Sequence, residues 1–177
     1  APCVIRTETE TGAAVVSPLE ACSDCSAVET GVGKAIDGLF SWGMTITAGA
    51  GASDIVRMEI ESENGKDCAA FVHVQAEKDS HLTLVQIWKA DAAHTALRTV
   101  VRAEAGAQVR LIQILTDSSA ECINDTGCVT GEKASFEVIR LYLAKGNVIS
   151  GVRTDLMGDG SSFSCKSGYL VNPDKKL

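Results

Sequence analysis

The 177-residue chain reads as an all-β protein. It is predicted to be a right-handed parallel β-helix of 27-residue coils with two strands per coil, preceded by a short irregular or partly helical N-terminal segment. Three observations predict this. The segments Asp54–Ile60 (DIVRMEI), His81–Ile87 (HLTLVQI), Gln108–Ile114 (QVRLIQI) and Ser135–Leu141 (SFEVIRL) begin 27 residues apart, and a fifth copy opens at Ser162. The aligned copies keep their chemistry by column, which is how a solenoid buries one face of every coil against its neighbours. Sixteen Gly, three Pro and only 5% aromatic residues suit short strands and tight turns around an aliphatic core.

Taken in order, residues 1–50 carry no repeat and read as an irregular segment. Ser17-Pro18-Leu19-Glu20 has the form of a helix start, with Ser as cap, Pro at the first helical position and Glu at the third. That helix should end by Gly31 and Gly33. Ala48-Gly49-Ala50-Gly51-Ala52 reads as a loop, so the chain divides into residues 1–50 and a solenoid over 51–177.

In the solenoid, one apolar column is Ile55, Leu82, Val109, Phe136, Phe163. A second is Arg57, Leu84, Leu111, Val138, Cys165, and a third is Ile60, Ile87, Ile114, Leu141, Gly168. The polar column Glu59, Gln86, Gln113, Arg140, Ser167 is expected on the outer surface. A second strand recurs at Ala70–Gln75, Leu97–Arg102, Asn124–Val129 and Gly151–Leu156, rich in the Val and Thr that strands favour. Helical repeats need helices of about ten residues or more, and these segments are too short. The third apolar column has the opposite strand parity to the first two, and so does Met58, Val85, Ile112, Ile139, Lys166. Either the strand bulges midway, or the outer face is partly covered by a partner or flanking segment.

The net charge of −7 argues against nucleic-acid binding. The one basic cluster, Lys175-Lys176, reads as a solvated tail. No apolar stretch approaches the roughly 18 residues of a membrane span, and no secretory signal pattern is visible. Seven Cys cannot all pair within one chain, so they are read as reduced thiols of a cytoplasmic protein.

The stretch Thr154-Asp155-Leu156-Met157-Gly158-Asp159-Gly160-Ser161-Ser162, followed by Gly168-Tyr169-Leu170-Val171, is similar to a motif of the β-helical core of SufB and SufD. The resemblance runs from about Ala50 to Leu177, and motif order and 27-residue period agree with it. It implies a non-catalytic component of the SUF iron–sulfur assembly machinery. Its implied partners are a SufC-like ATPase and a SufB/SufD-like subunit, or a second copy, pairing through the β-helix. It further implies a transient iron–sulfur cluster in the full complex. Family members continue past the equivalent of Leu177 with a His-bearing segment and a C-terminal helical domain, and some carry a long N-terminal helical region. The chain, which starts Ala1-Pro2-Cys3, is therefore expected to be a fragment or a short relative. The cut edge of the solenoid should be covered by a second copy or by Val171–Leu177. Two other readings stay open: a purely structural dimerisation module, and a β-helical carbohydrate lyase or hydrolase. The second is disfavoured because the polar column holds no paired carboxylates.

Cys128 is the leading site candidate, because nascent clusters are held by Cys thiolates and scaffold-type members carry an implicated Cys close to this position. The alternative is a small buried residue in one column with Val74 and Val101. Cys165 reads as core, while Cys3 and Cys68 have no context. Cys22-Ser23-Asp24-Cys25 is a C-x-x-C pair and a candidate metal or redox site; zinc would need a second pair, for which only Cys122 with Cys128 is available. His73, His81 and His94 share no column and read as surface or hydrogen-bonded residues. Gly31-Val32-Gly33-Lys34 lacks the remaining residues of a phosphate-binding loop, so ATP hydrolysis would belong to a partner.

Overall fold

The computed structural model describes residues 3–19, 42–62 and 65–170. They form twelve strands: β1 (Cys3–Thr9), β2 (Ala14–Pro18), β3 (Trp42–Ala48), β4 (Ser53–Ser62), β5 (Cys68–Ala76), β6 (His81–Lys89), β7 (His94–Ala103), β8 (Gln108–Leu115), β9 (Glu121–Thr130), β10 (Ser135–Tyr142), β11 (Asn147–Leu156) and β12 (Ser162–Tyr169). The strands form two sheets, one ordered β1-β4-β6-β8-β10-β12 and the other β11-β9-β7-β5-β3-β2, and from β3 onward they alternate between the two. From β3 onward neighbouring strands are parallel. The result is the two-strand-per-coil parallel β-solenoid that the repeat predicts, with no helix among the described residues.

The period is less uniform than the sequence suggests. Gln108 pairs with His81 and Ser135 with Gln108, both at 27 residues. Ser53, however, pairs with His81 at 28, and Cys122 with Val148 at 26. The first coil thus carries one extra residue between β4 and β5, and the connection from β10 to β11 is one shorter. A one-residue shift moves every side chain of a strand to the other face. Asp54, not Ile55, therefore stands beside Leu82. Val56, Met58 and Ile60 are fully buried, whereas Ile55 is 45% exposed and Arg57 is also exposed.

The polar column is also corrected. The β6 strand alternates without a bulge, and Leu82, Leu84, Gln86 and Trp88 all face the lumen. Gln86, Gln113 and Arg140 are inside the solenoid, not on its surface. Ile87, Ile114 and Leu141 are outside and not fully buried. Strand geometry forces this: residues two apart share a face, so Gln86 must follow Leu82 and Leu84 inward.

Of the segment before residue 51 expected to be irregular, the described residues are largely strand, while the body of the expected helix, up to Gly31 and Gly33, lies outside them. β1 runs antiparallel to β4 and β2 antiparallel to β3, so the first coil is closed by two reversed strands. Ser17 and Pro18 belong to β2 rather than to a helix start. Pro18, which cannot donate to a ladder, is tolerated there because β2 is an edge strand. β3 occupies the position of β5 one coil earlier, so the solenoid starts at Trp42. Asp54 ties this cap down. Its Oδ1 accepts from the Thr11 and Ile55 N–H groups at 2.9 and 2.8 Å, and its Oδ2 from the Ala14 N–H at 2.8 Å. Burial alone would raise its pKa, but these three donors overcome it and hold the carboxyl at about 2.

Cys3 and Cys68 form a disulfide, with Cα atoms 6.1 Å apart. This overturns the reading of every thiol as reduced. It pins β1 to the start of β5 across the two sheets, and both residues are buried.

The corners that lead into the first sheet stack on one another. Gly51, Asp79, Gly106, Lys133 and Gly160 all have positive φ. The N–H of each of the first four donates to a carbonyl of the next coil, Lys78, Ala105, Glu132 and Asp159 respectively. Gly158, in the segment that carries the family resemblance, is required for a different reason. A Cβ there would lie 2.2 Å from the Glu132 backbone nitrogen of the preceding coil, so the motif encodes a close coil-on-coil approach.

Candidate functional site in the solenoid lumen

The lumen is mostly apolar, with a band of polar side chains midway along several strands. Gln86 and Thr99 bond side chain to side chain across the two sheets, at 3.0 and 3.1 Å. Gln113 Nε2 donates to Gln86 Oε1 at 2.8 Å, one coil back. Asn124 Nδ2 donates to Gln113 Oε1 at 3.1 Å and to the Tyr142 hydroxyl at 3.0 Å. The Tyr142 hydroxyl meets Ser150 Oγ. Arg140 Nη1 donates to the same Ser150 at 3.0 Å, and both terminal nitrogens reach the Gly151 carbonyl. A continuous polar chain therefore crosses three coils inside an otherwise apolar tube. Such a chain stabilises only if its members are satisfied, and the glutamines and Asn124 are.

Arg140 is the exception. It is 5% exposed, its contacts are a hydroxyl and a carbonyl, and its Nε has no partner among the described residues. A buried cation without a carboxylate is costly. Beside it on β12 stands Ser167, in the last described coil.

A second polar cluster lies at one edge of the lumen. Asp117 Oδ2 accepts from Trp88 Nε1 at 2.6 Å and from Thr95 Oγ1 at 2.7 Å, and its Oδ1 from the Ser119 N–H at 2.6 Å. This carboxylate holds the turn between β8 and β9. Cys122 sits against it. Burial first, and the Asp117 charge second, push that thiol well above its ordinary value.

Cys128 is fully buried. Its register is Val74, Val101, Cys128, Thr154, a lumen-facing column. Burial pushes its thiol up, and the Asp155 charge adds to the effect, so the neutral form is strongly favoured in this closed state. Cys165 differs from its expectation as core. It faces the lumen beside Val138 but is exposed and free, because no described coil lies beyond β12. Cys122 and Cys128 do not make the second half of a zinc site. They lie six residues apart on one extended strand, about 20 Å at the usual rise. Cys22 and Cys25 lie outside the described residues, as do Gly31–Lys34 and Lys175–Lys176. His94 is exposed and bonds Asp67 at 3.2 Å, His81 is exposed, and His73 is half-buried. Among the described residues no three or more His, Cys, Asp or Glu side chains are placed to hold a metal ion.

Among the described residues, then, the free thiols of this parallel β-solenoid are buried, except Cys165 at its C-terminal end. Residues 58–177 match the family described as SUF system FeS cluster assembly, SufBD core domain. The match covers more than half of the chain, and the chain belongs to that family. Membership assigns it in general terms to the assembly scaffolds of the SUF system. No curated protein and no solved structure matches the chain. No helix among the described residues is long and apolar enough to cross a membrane.

Proposed function

We propose that the chain is a non-catalytic scaffold of cytoplasmic iron–sulfur cluster assembly. In this reading residues 51–177 are the working unit. It pairs through the solenoid with a SufB/SufD-like subunit or with a second copy, and it engages a SufC-like ATPase, which supplies the hydrolysis. The cluster is cargo, and Cys128 contributes one thiolate to it, the remaining ligands coming from outside the described residues. The observation that carries the reading is the family match over the coils that enclose Cys128. The raised thiol pKa means that Cys128 ligates only when its coil opens or when iron displaces the proton.

The lyase or hydrolase reading finds little support in the two acids, Asp54 and Glu137, that line a shallow groove with His81, Gln108 and Arg110. Asp54 is committed to the cap, and Glu137 is shared by Arg110 at 2.6 Å and Lys166 at 3.0 Å. Anaerobic reconstitution with iron and sulfide tests the proposal. Cluster absorption that is present in the wild type and lost in Cys128→Ser is the expected result. Cluster formation that is unchanged in Cys128→Ser removes the assigned ligand. No cluster under any condition, together with a stable dimer, favours the purely structural module.

A further inference from the structure

The stacked corners that lead into the first sheet are alike in shape and unlike in chemistry. Their central pairs read Ala50-Gly51, Lys78-Asp79, Ala105-Gly106, Glu132-Lys133 and Asp159-Gly160, and the second residue of each pair has positive φ. In the first four pairs the N–H of that second residue donates to the next coil at 2.8 to 3.0 Å.

The last pair ends the stack. The Asp159 carbonyl accepts from the Lys133 N–H at 2.9 Å, on the side of the preceding coil. A trans peptide points its N–H opposite its C=O, and no peptide among the described residues is cis. The Gly160 N–H therefore points away from the coils, and it has no acceptor among the described residues. Asp159 and Gly160 are both exposed.

These conditions suit an intramolecular reaction of aspartate. The main-chain nitrogen of the next residue attacks the γ-carbon of the aspartic acid and closes a five-membered imide. The N–Cγ bond forms, the Cγ–OH bond breaks, and the hydroxyl leaves with the amide proton as water. Water then adds back. Opening at the γ-carbonyl restores aspartate, whereas opening at the α-carbonyl gives isoaspartate, with the main chain routed through the former side chain. Closure needs a nitrogen not held by an acceptor, close to the γ-carbon, and a next residue with no Cβ in the way.

Other aspartates fail one condition. After Asp79 the Ser80 N–H bonds the Glu77 carbonyl at 3.1 Å, and after Asp117 the Ser118 N–H bonds the Ala90 carbonyl at 2.7 Å. After Asp91 the Ala92 N–H bonds Ser119 Oγ at 3.1 Å. Asp155 is followed by Leu156, whose side chain hinders closure.

We propose that Asp159–Gly160 is a site of spontaneous isoaspartate formation, and that the conversion loosens the last coil. Isoaspartate adds one methylene to the main chain of the corner. The carbonyl that accepts from Lys133 is displaced, and Gly158, which seats the corner against Glu132, moves with it. Among the described strands β12 is paired on one side only, with β10, so it depends on this corner for its position. The product's α-carboxylate is the methyl acceptor that isoaspartyl methyltransferases recognise. The proposal does not rest on the cluster-assembly role.

The test ages the full chain at neutral pH and digests it with endoproteinase Asp-N, which cuts before aspartate and not before isoaspartate. Mass spectrometry then reports each position. In the folded chain Asp159 should convert at least tenfold faster than Asp79, Asp91 or Asp117. Unfolding in urea should speed those three at least tenfold and Asp159 less than threefold, because only they have a held nitrogen to release. Gly160→Asn, which tolerates positive φ, should slow Asp159 severalfold. In the aged chain the β12 amides should exchange with deuterium at least tenfold faster than in the fresh chain. Asp159 that converts no faster than Asp79, or that urea accelerates as much as the others, overturns the proposal. So does an aged, converted chain whose β12 amides exchange at the fresh rate.

Discussion

Replacing Asp54 with Asn isolates the lock on the N-terminal cap. The folded carboxyl titrates at about 2 against an ordinary 3.8, a gap worth about 2.4 kcal/mol at 1.36 kcal/mol per unit. The carboxylate is buried, and the amide of the variant can still accept through its one oxygen, which trims the loss to about 2 kcal/mol. Because the folded pKa is lowered, the contribution is fully present above the unfolded value and is lost as pH falls through about 2. Asp54→Asn should therefore be less stable than wild type by about 2 kcal/mol at pH 7. The deficit should shrink below pH 4 and nearly vanish by pH 2. Urea unfolding followed by circular dichroism at pH 7, 4.5, 3 and 2 measures it, and equal slopes in the two proteins would show that the unfolded states are comparable. The lowered Asp67, Glu59 and Glu137 are common to both proteins and cancel in the difference. A deficit that stays constant from pH 7 to pH 2 would refute the electrostatic account of the cap. A deficit below about 0.5 kcal/mol at pH 7 would refute the idea that Asp54 holds β1 and β2 in place.

Four other outcomes follow from the packing. Gly158→Ala forces β-turn backbone of adjacent coils apart and should cost about 1–3 kcal/mol, measured by thermal unfolding. Gln113→Ala removes one of two partners from Gln86 Oε1 and from Asn124 Nδ2 and should cost about 1–3 kcal/mol in urea titrations; a loss under 0.5 kcal/mol would mean that water replaces the amide at no cost. Reducing Cys3–Cys68 releases a loop of 65 residues, and the loop-entropy relation sets the loss at about 4 kcal/mol, read as the drop in unfolding midpoint with reductant. In the folded protein a thiol reagent followed by peptide mapping should label Cys165 promptly, and Cys122 and Cys128 only with unfolding. Prompt labelling of Cys128 would show its coil open in solution.

The solenoid was legible because its 27-residue register repeats through four of the first-sheet strands without interruption. The first coil was misread by one residue for a reason visible in hindsight. Arg57 does not belong in a column with Leu84, Leu111 and Val138, and shifting the copy by one brings Val56 into that place. The internal glutamines were missed because polar residues are taken to be outside. Strand parity with Leu82 and Leu84 was the signal that they are not. The three N-terminal strands carry no repeat, so only their pairing reveals them, β1 with β4, β3 with β5 and β2 with β3. The disulfide joins residues 65 apart in sequence, and no local pattern announces it. Cys128 was placed in its column with Val74 and Val101 from spacing alone, but its complete burial depends on the coils stacked on both sides.

The reversed strands at the start of the solenoid bear on the symmetry of any assembly. β1 and β2 run against the direction of every coil that follows, so that end offers no parallel strand for another solenoid to extend. The β11 and β12 end presents strands of the regular direction, with Cys165 and Tyr169 exposed. Two like molecules that add to each other's β12 must therefore meet tail to tail. That contact uses the same surface twice and closes on a two-fold axis. At the other end an incoming strand would have to pair antiparallel or run against the coils, as β1 itself does on β4, so the two ends of the described solenoid are not interchangeable surfaces.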